Sequence, residues 1–162
     1  EIFANDRLGN ADFVCSRTAQ TGELRRMIYL DGLKPEARQQ AALAWLEQHK
    51  ERLLARKVTR FDESNWWCWG RRHFASDAPR IYVNHKTRNP RPFFLNACNN
   101  YDGSVLALFP QAQSADLRQL ADMLNEVDWA ELGFVCDGRF LFAQRSLAHV
   151  LLPEDFARFA QR

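Results

Sequence analysis

The chain has 162 residues, 46% of them hydrophobic and 26% charged, with a formal net charge of +2. This length suits one domain (1–162) ending in an appended helix over 153–162, with composition enough for a core and no room for both a cofactor-binding catalytic fold and a substrate reader. No signal peptide and no apolar run near the roughly 20 residues of a membrane span is present, so a soluble, cytoplasmic protein without a membrane partner is expected.

In chain order, Glu23 to Leu30 ("ELRRMIYL") reads as a strand closed by an Asp31-Gly32 turn. Pro35 suits a first helical turn, and Ala41, Ala42, Trp45, Leu46, Leu53 and Leu54 set an apolar stripe that predicts a long helix from about Glu36 to Lys57. Ala78–Val83 and Pro92–Leu95 read as strands flanking a basic turn, with a third strand at Ser104–Phe109 ended by Pro110. Ser114 or Asp116 caps a helix to about Glu126 that buries Leu117, Leu120, Met123 and Leu124. A short strand at Gly138–Phe142 and a helix at Glu154–Gln161 complete the series. The expected fold is α+β: a mixed twisted β-sheet with a long helix in the N-terminal half and flanking helices.

Charge is unevenly spread. From Trp45 to Arg91 eleven Lys and Arg face five acids, a balance of +6, whereas from Pro92 onward the balance is −4. Such a layout fits one face toward a polyanion and another toward protein or solvent, although a solvated helix flank also explains much of it. Cys15, Cys68, Cys98 and Cys136 never form C-x-x-C, so reduced, mostly buried thiols are expected rather than a zinc ribbon or redox pair. Glu1 in place of an initiator methionine raises the expectation of a longer parent polypeptide.

Two stretches carry candidate chemistry. "TRNPRPFF" (Thr87 to Phe94) loosely resembles the Asn-Pro-Pro-aromatic signature of amino-group DNA methyltransferases, but Arg91 between the prolines displaces the aromatic ring, so the three groups cannot converge on one amine. The seven glycines are scattered and form no cofactor turn. The stretch therefore reads as two prolines fixing a turn or sheet edge, with Lys86, Arg88 and Arg91 projecting from it. "NWWCWGRRHF" (Asn65 to Phe74) sets three tryptophans beside an arginine pair, a mixture suited to base, sugar or phosphate contact. At least one of Trp66, Trp67 and Trp69 is expected in the core on area alone. Cys68 and His73 lack the further partners a metal site needs.

The order of these segments resembles the target-recognition domains of TaqI-like N6-adenine DNA methyltransferases. "WLEQHKERLLARK" matches a helix of the form L-x-x-H-K-x-x-L-x-x-R through Leu46, His49, Lys50, Leu53 and Arg56. Trp66, Gly70 and Arg71 match a W-x-x-x-G-R segment, and Arg80, Ile81 and Tyr82 the strand after it. "LADMLNEVDW" resembles a helix containing L-x-x-x-L-N, and "DGRFLFAQRSLAHVLLP" a closing segment; the resemblance covers about Glu23 to Pro153. "YDGSVLALFP" (Tyr101 to Pro110) departs from the family pattern, and the cofactor glycines and intact N-P-P-Y/F motif are absent. The resemblance implies a non-catalytic specificity module of a restriction-modification enzyme. Its parent would use S-adenosylmethionine, which this segment does not bind, and its partners would be double-stranded DNA and the catalytic methyltransferase domain of the same polypeptide.

Nucleic-acid physics then assigns roles. Lys and Arg on phosphates supply affinity and register, and a few side chains reach base edges in the major groove. Asn84, Lys86, Thr87, Arg88 and Arg91 are the candidate readers, Arg71 and Arg72 the phosphate clamps, and Lys50, Trp67 and Trp69 further DNA contacts. A stand-alone RNA- or single-strand-binding module stacking bases on the tryptophans is the principal alternative; a carbohydrate or small-ligand module would use the same rings.

Overall fold

The computed structural model of the chain describes residues 1–30, 39–58, 60–70, 76–112 and 115–159. Its contacts gather the chain, expected as one domain, into two compact units: Glu1–Phe13 with Leu24–Ala75, and Val14–Glu23 with Ser76–Arg162. The fold is α+β, but the strands form three small antiparallel sheets instead of one mixed sheet.

In the first unit, β1 (Ala11–Phe13) pairs with β2 (Arg25–Met27), so only the middle of the expected Glu23–Leu30 strand is laddered. Beyond Met27 an asparagine takes the place of a neighbouring strand. Asn10 receives the Tyr29 N–H on Oδ1 at 2.6 Å and donates Nδ2 to the Tyr29 carbonyl at 2.7 Å. The long helix is two helices, α2 (Gln40–Glu47) and α3 (Lys50–Leu54). At the break, the His49 N–H turns to the Leu46 carbonyl at 2.9 Å, a tighter i−3 bond, while the imidazole sits edge-on to Trp45. The apolar stripe survives the break: Leu46 and Leu53 are fully buried with Ile28, Leu30, Ala42 and Trp66, each such leucine contributing about 1.5–3 kcal/mol. The Asp31-Gly32 turn and Pro35 lie outside the described residues.

In the second unit, a single turn of helix, α1 (Thr18–Thr21), is closed by Gly22 in the left-handed region, φ +72°. The central strand of one sheet is β3 (Ile81–Asn84), with all four residues buried. A strand covered on both faces reads as an unbroken apolar run, and here the run extends through the buried Asn84. The chain then forms β4 (Lys86–Thr87) and returns as β5 (Phe93–Phe94) along one edge of β3, while β6 (Val105–Leu108) lines the other. α4 (Leu117–Glu126) is capped by Asp116, whose carboxylate accepts the N–H groups of Arg118 and Gln119, both at 3.0 Å; such a cap contributes about 1 kcal/mol. Ser114, the other candidate cap, lies outside the described residues. β7 (Val135–Cys136), β8 (Arg139–Leu141) and α5 (Gln144–His149) follow, then a 3-10 helix at Glu154–Phe159 where an α-helix was expected. Phe93, Trp129, Phe134 and Phe142 form the aromatic centre of the core.

The four cysteines form no disulfide among the described residues, and only Cys15 is buried; Cys136 is exposed, which corrects the expectation of mostly buried thiols. Among the described residues no helix is long and apolar enough to cross a membrane.

Candidate nucleic-acid interface

The proposed contact residues divide between the units. Lys50, Trp67 and Trp69 belong to the first, Asn84, Lys86, Thr87, Arg88 and Arg91 to the second. Arg71, Arg72 and His73 lie outside the described residues.

The tryptophan segment is folded inward. Trp66 is 5% exposed. Trp69 stacks on Phe13 with centroids 4.6 Å apart, meets Phe3 and Tyr29, and donates its indole N–H to the Ile28 carbonyl at 3.0 Å. Trp67 stands edge-on to Trp66 and packs against the same core, its indole nitrogen buried without a hydrogen-bond partner among the described residues. A base needs an open ring face to stack on; Phe13 covers one face of Trp69 and Trp66 meets Trp67 edge-on, while both indoles remain half-buried.

Arg56 explains much of this arrangement. From the end of α3 its guanidinium donates to the carbonyls of Leu53 (2.7 Å), Trp66 (2.7 Å) and Cys68 (2.9 Å) and lies 3.7 Å from the Phe61 ring centroid. One planar cation therefore satisfies a carbonyl of α3 and two of a turn that has no ladder. Next in the chain, Gly70 lies against Val58 so closely that a Cβ would collide with that side chain. Lys50 is also engaged, paired with Glu63 at 2.5 Å and 5.3 Å from the Trp66 ring centroid. As a DNA contact it would have to leave both.

The basic turn of the second unit contrasts with this. Thr87 is buried, its hydroxyl accepting the Asn89 N–H at 3.0 Å, and Asn89 Oδ1 accepts the Arg91 N–H at 3.0 Å. These bonds shape the turn and commit Asn89 to it. Arg91 forks onto two carboxylates of α4, Asp122 at 2.6 Å and Glu126 at 3.1 Å. Asn125 brackets Phe93 from the same helix, accepting its N–H and donating to its carbonyl, both at 2.9 Å. Lys86 and Arg88 remain exposed, with no ion pair among the described residues.

Asn84 was expected to read a base, and the structure corrects this. It is 3% exposed, and its Nδ2 donates to the Ser16 carbonyl at 2.8 Å. Thr87 is likewise a turn-former rather than a reader, and Arg91 holds the turn against α4. Sequence reasoning missed Arg56, Asn89 and Asn125 as the residues that build these segments; asparagine and arginine beside stretches with turn chemistry are the available signal.

Behind the turn, His85 joins two sheets. Its N–H donates to the Ser104 carbonyl at 3.0 Å, its carbonyl accepts the Phe142 N–H at 2.8 Å, and Nδ1 donates to the Phe142 carbonyl at 2.7 Å. On β3, the Tyr82 hydroxyl donates to the Cys98 carbonyl at 2.6 Å, and burial pushes its pKa up to about 12.

Comparison with protein-family models, curated proteins and solved structures found no match.

Proposed function

We propose that this chain is a sequence-reading module for duplex DNA, the specificity part of an adenine-N6 methyltransferase whose catalytic half and S-adenosylmethionine site belong to the rest of the polypeptide. The observation that carries the reading is the pair Lys86 and Arg88, exposed and without ion pairs among the described residues, on a turn shaped by the side chains of Thr87 and Asn89. Cations on a rigid frame can meet phosphates and base edges with little reorganisation. The order of motifs between Glu23 and Pro153 supports the family, and the tasks found for Arg56 and Asn125 give two of those motif residues a physical reason. Trp66 is buried and neighbouring rings engage Trp67 and Trp69, which leaves less indole surface for the single-strand module.

Fluorescence anisotropy with a labelled duplex, its separate strands and the chain tests this. Duplex should be preferred, and the log–log salt slope should be shallower by about 1 in Lys86→Ala or Arg88→Ala if each contacts one phosphate. If Arg88 instead reads guanine, Arg88→Ala costs about 1–3 kcal/mol of discrimination between sequences. Equal binding of single strands and duplex, unchanged by either substitution, would refute the reading.

A further inference from the structure

The second unit carries a groove of about 600 Å³ between α4 and the terminal 3-10 helix. Its apolar walls are Met123, Val127, Pro153 and Phe156, and its lining holds four carboxylates, Asp116, Asp122, Glu126 and Asp155, with Arg118; Arg91 pairs with Asp122 and Glu126 at the edge, and Arg158 donates to Met123 Sδ at 2.9 Å. We propose that it is a docking groove for a basic amphipathic segment of a protein partner, with an apolar side chain on Met123 and Phe156 and flanking Lys or Arg on the carboxylates.

Two observations favour that occupant. The chain already shows what the rim accepts, since the Arg91 guanidinium bridges Asp122 and Glu126 at its edge. Asp116 and Asp155 take part in no ion pair among the described residues, so negative charge remains for a partner's cations. Apolar walls with a charged rim are the usual anatomy of helix-in-groove recognition, in which the anchors supply affinity and the rim supplies orientation and encounter rate. The groove is lined by neither Lys86 nor Arg88, so the inference goes beyond the reading of the basic turn and does not depend on it.

The test is titration of the 162-residue chain with fluorescein-labelled 14-residue amphipathic peptides followed by anisotropy. One peptide carries Lys and Leu at helical spacing, a second replaces every Lys by Glu, and a third replaces every Leu by Ser. The Lys/Leu peptide should bind saturably, and the other two at least tenfold more weakly. Phe156→Glu should weaken binding at least tenfold, and Asp155→Lys about threefold with weaker dependence on salt; neither residue caps α4 or holds Arg91. Circular dichroism establishes that each variant is folded, and Met123→Glu replaces Phe156→Glu if that protein unfolds. Equal binding of the Lys/Ser peptide, indifference to both groove substitutions, or a concentration-dependent dimer that occludes the groove would overturn the proposal.

Discussion

The tryptophan segment and the basic turn look alike as sequence, each a cluster of cations and aromatic rings, yet the fold uses them in opposite ways. In the first, Arg56 spends its donors on three backbone carbonyls and the half-buried Trp69 packs against Phe3, Phe13 and Tyr29. In the second, neighbouring side chains satisfy the backbone, leaving Lys86 and Arg88 exposed. Residue type alone therefore does not mark an interface. What decides is whether the local backbone has a ladder to satisfy it; where it has none, the nearest cation is recruited and is no longer available to a ligand.

Substitutions can break this contrast. The largest effect is expected for Trp69→Ala, which removes a stacked, half-buried ring and leaves the Ile28 carbonyl without its donor: a loss of about 3 kcal/mol in chemical denaturation, the low end for a core ring. A folded, stable variant with impaired DNA binding would make Trp69 a contact after all. Arg56→Ala should cost about 2–3 kcal/mol by stranding three carbonyls, and Arg56→Lys should recover little, because an ammonium cannot reproduce the planar fork. Thermal unfolding of the two variants side by side distinguishes a clamp from a mere charge.

A pH series tests whether the strand behind the turn is as closed as the tryptophan core. The Tyr82 phenol has a raised pKa of about 12, chiefly through burial, against about 10 in the unfolded chain. Protonated Tyr82 thus contributes stability that is complete below about pH 10 and is lost as pH rises toward 12, at most about 2–3 kcal/mol. Tyr82→Phe should remove that component of the alkaline slope; an unchanged slope would mean that water reaches the hydroxyl. The smallest effect is expected for Arg91→Ala. Its pairs with Asp122 and Glu126 are exposed, so stability should fall by about 1 kcal/mol or less, and by less still at high salt. A larger loss would show that the turn depends on this fork, and that it has less rigidity of its own than the tryptophan segment.

The sequence made the long-period features readable. Leu46 and Leu53, like Leu120 and Leu124, fall on helical stripes that are buried as expected, and the strands around Ile81, Phe93 and Val105 lie where β-branched and aromatic residues gather. Strands of two or three residues such as β4 and β7 carry no periodicity, so they were not seen. The brackets made by Asn10 and Asn125 span 19 and 32 residues, and no local pattern announces a side chain acting as a strand. Asn84 misled for a related reason: its side chain suits a base edge, but its place on a central strand covers both faces. The tryptophans were readable as partly core, while the arginine that closes them in was visible only as charge.

Because His85 is fastened by its N–H, its carbonyl and its ring, the backbone on which Lys86 and Arg88 stand has little freedom to adapt to a ligand. Fitting then falls to side-chain rotamers, and immobilising a long cationic side chain costs up to about 2 kcal/mol of conformational entropy. Recognition through this turn would carry an entropic penalty confined to two side chains, with hardly any from loop ordering, and that economy favours fast exchange between closely related sites over slow induced closure on one.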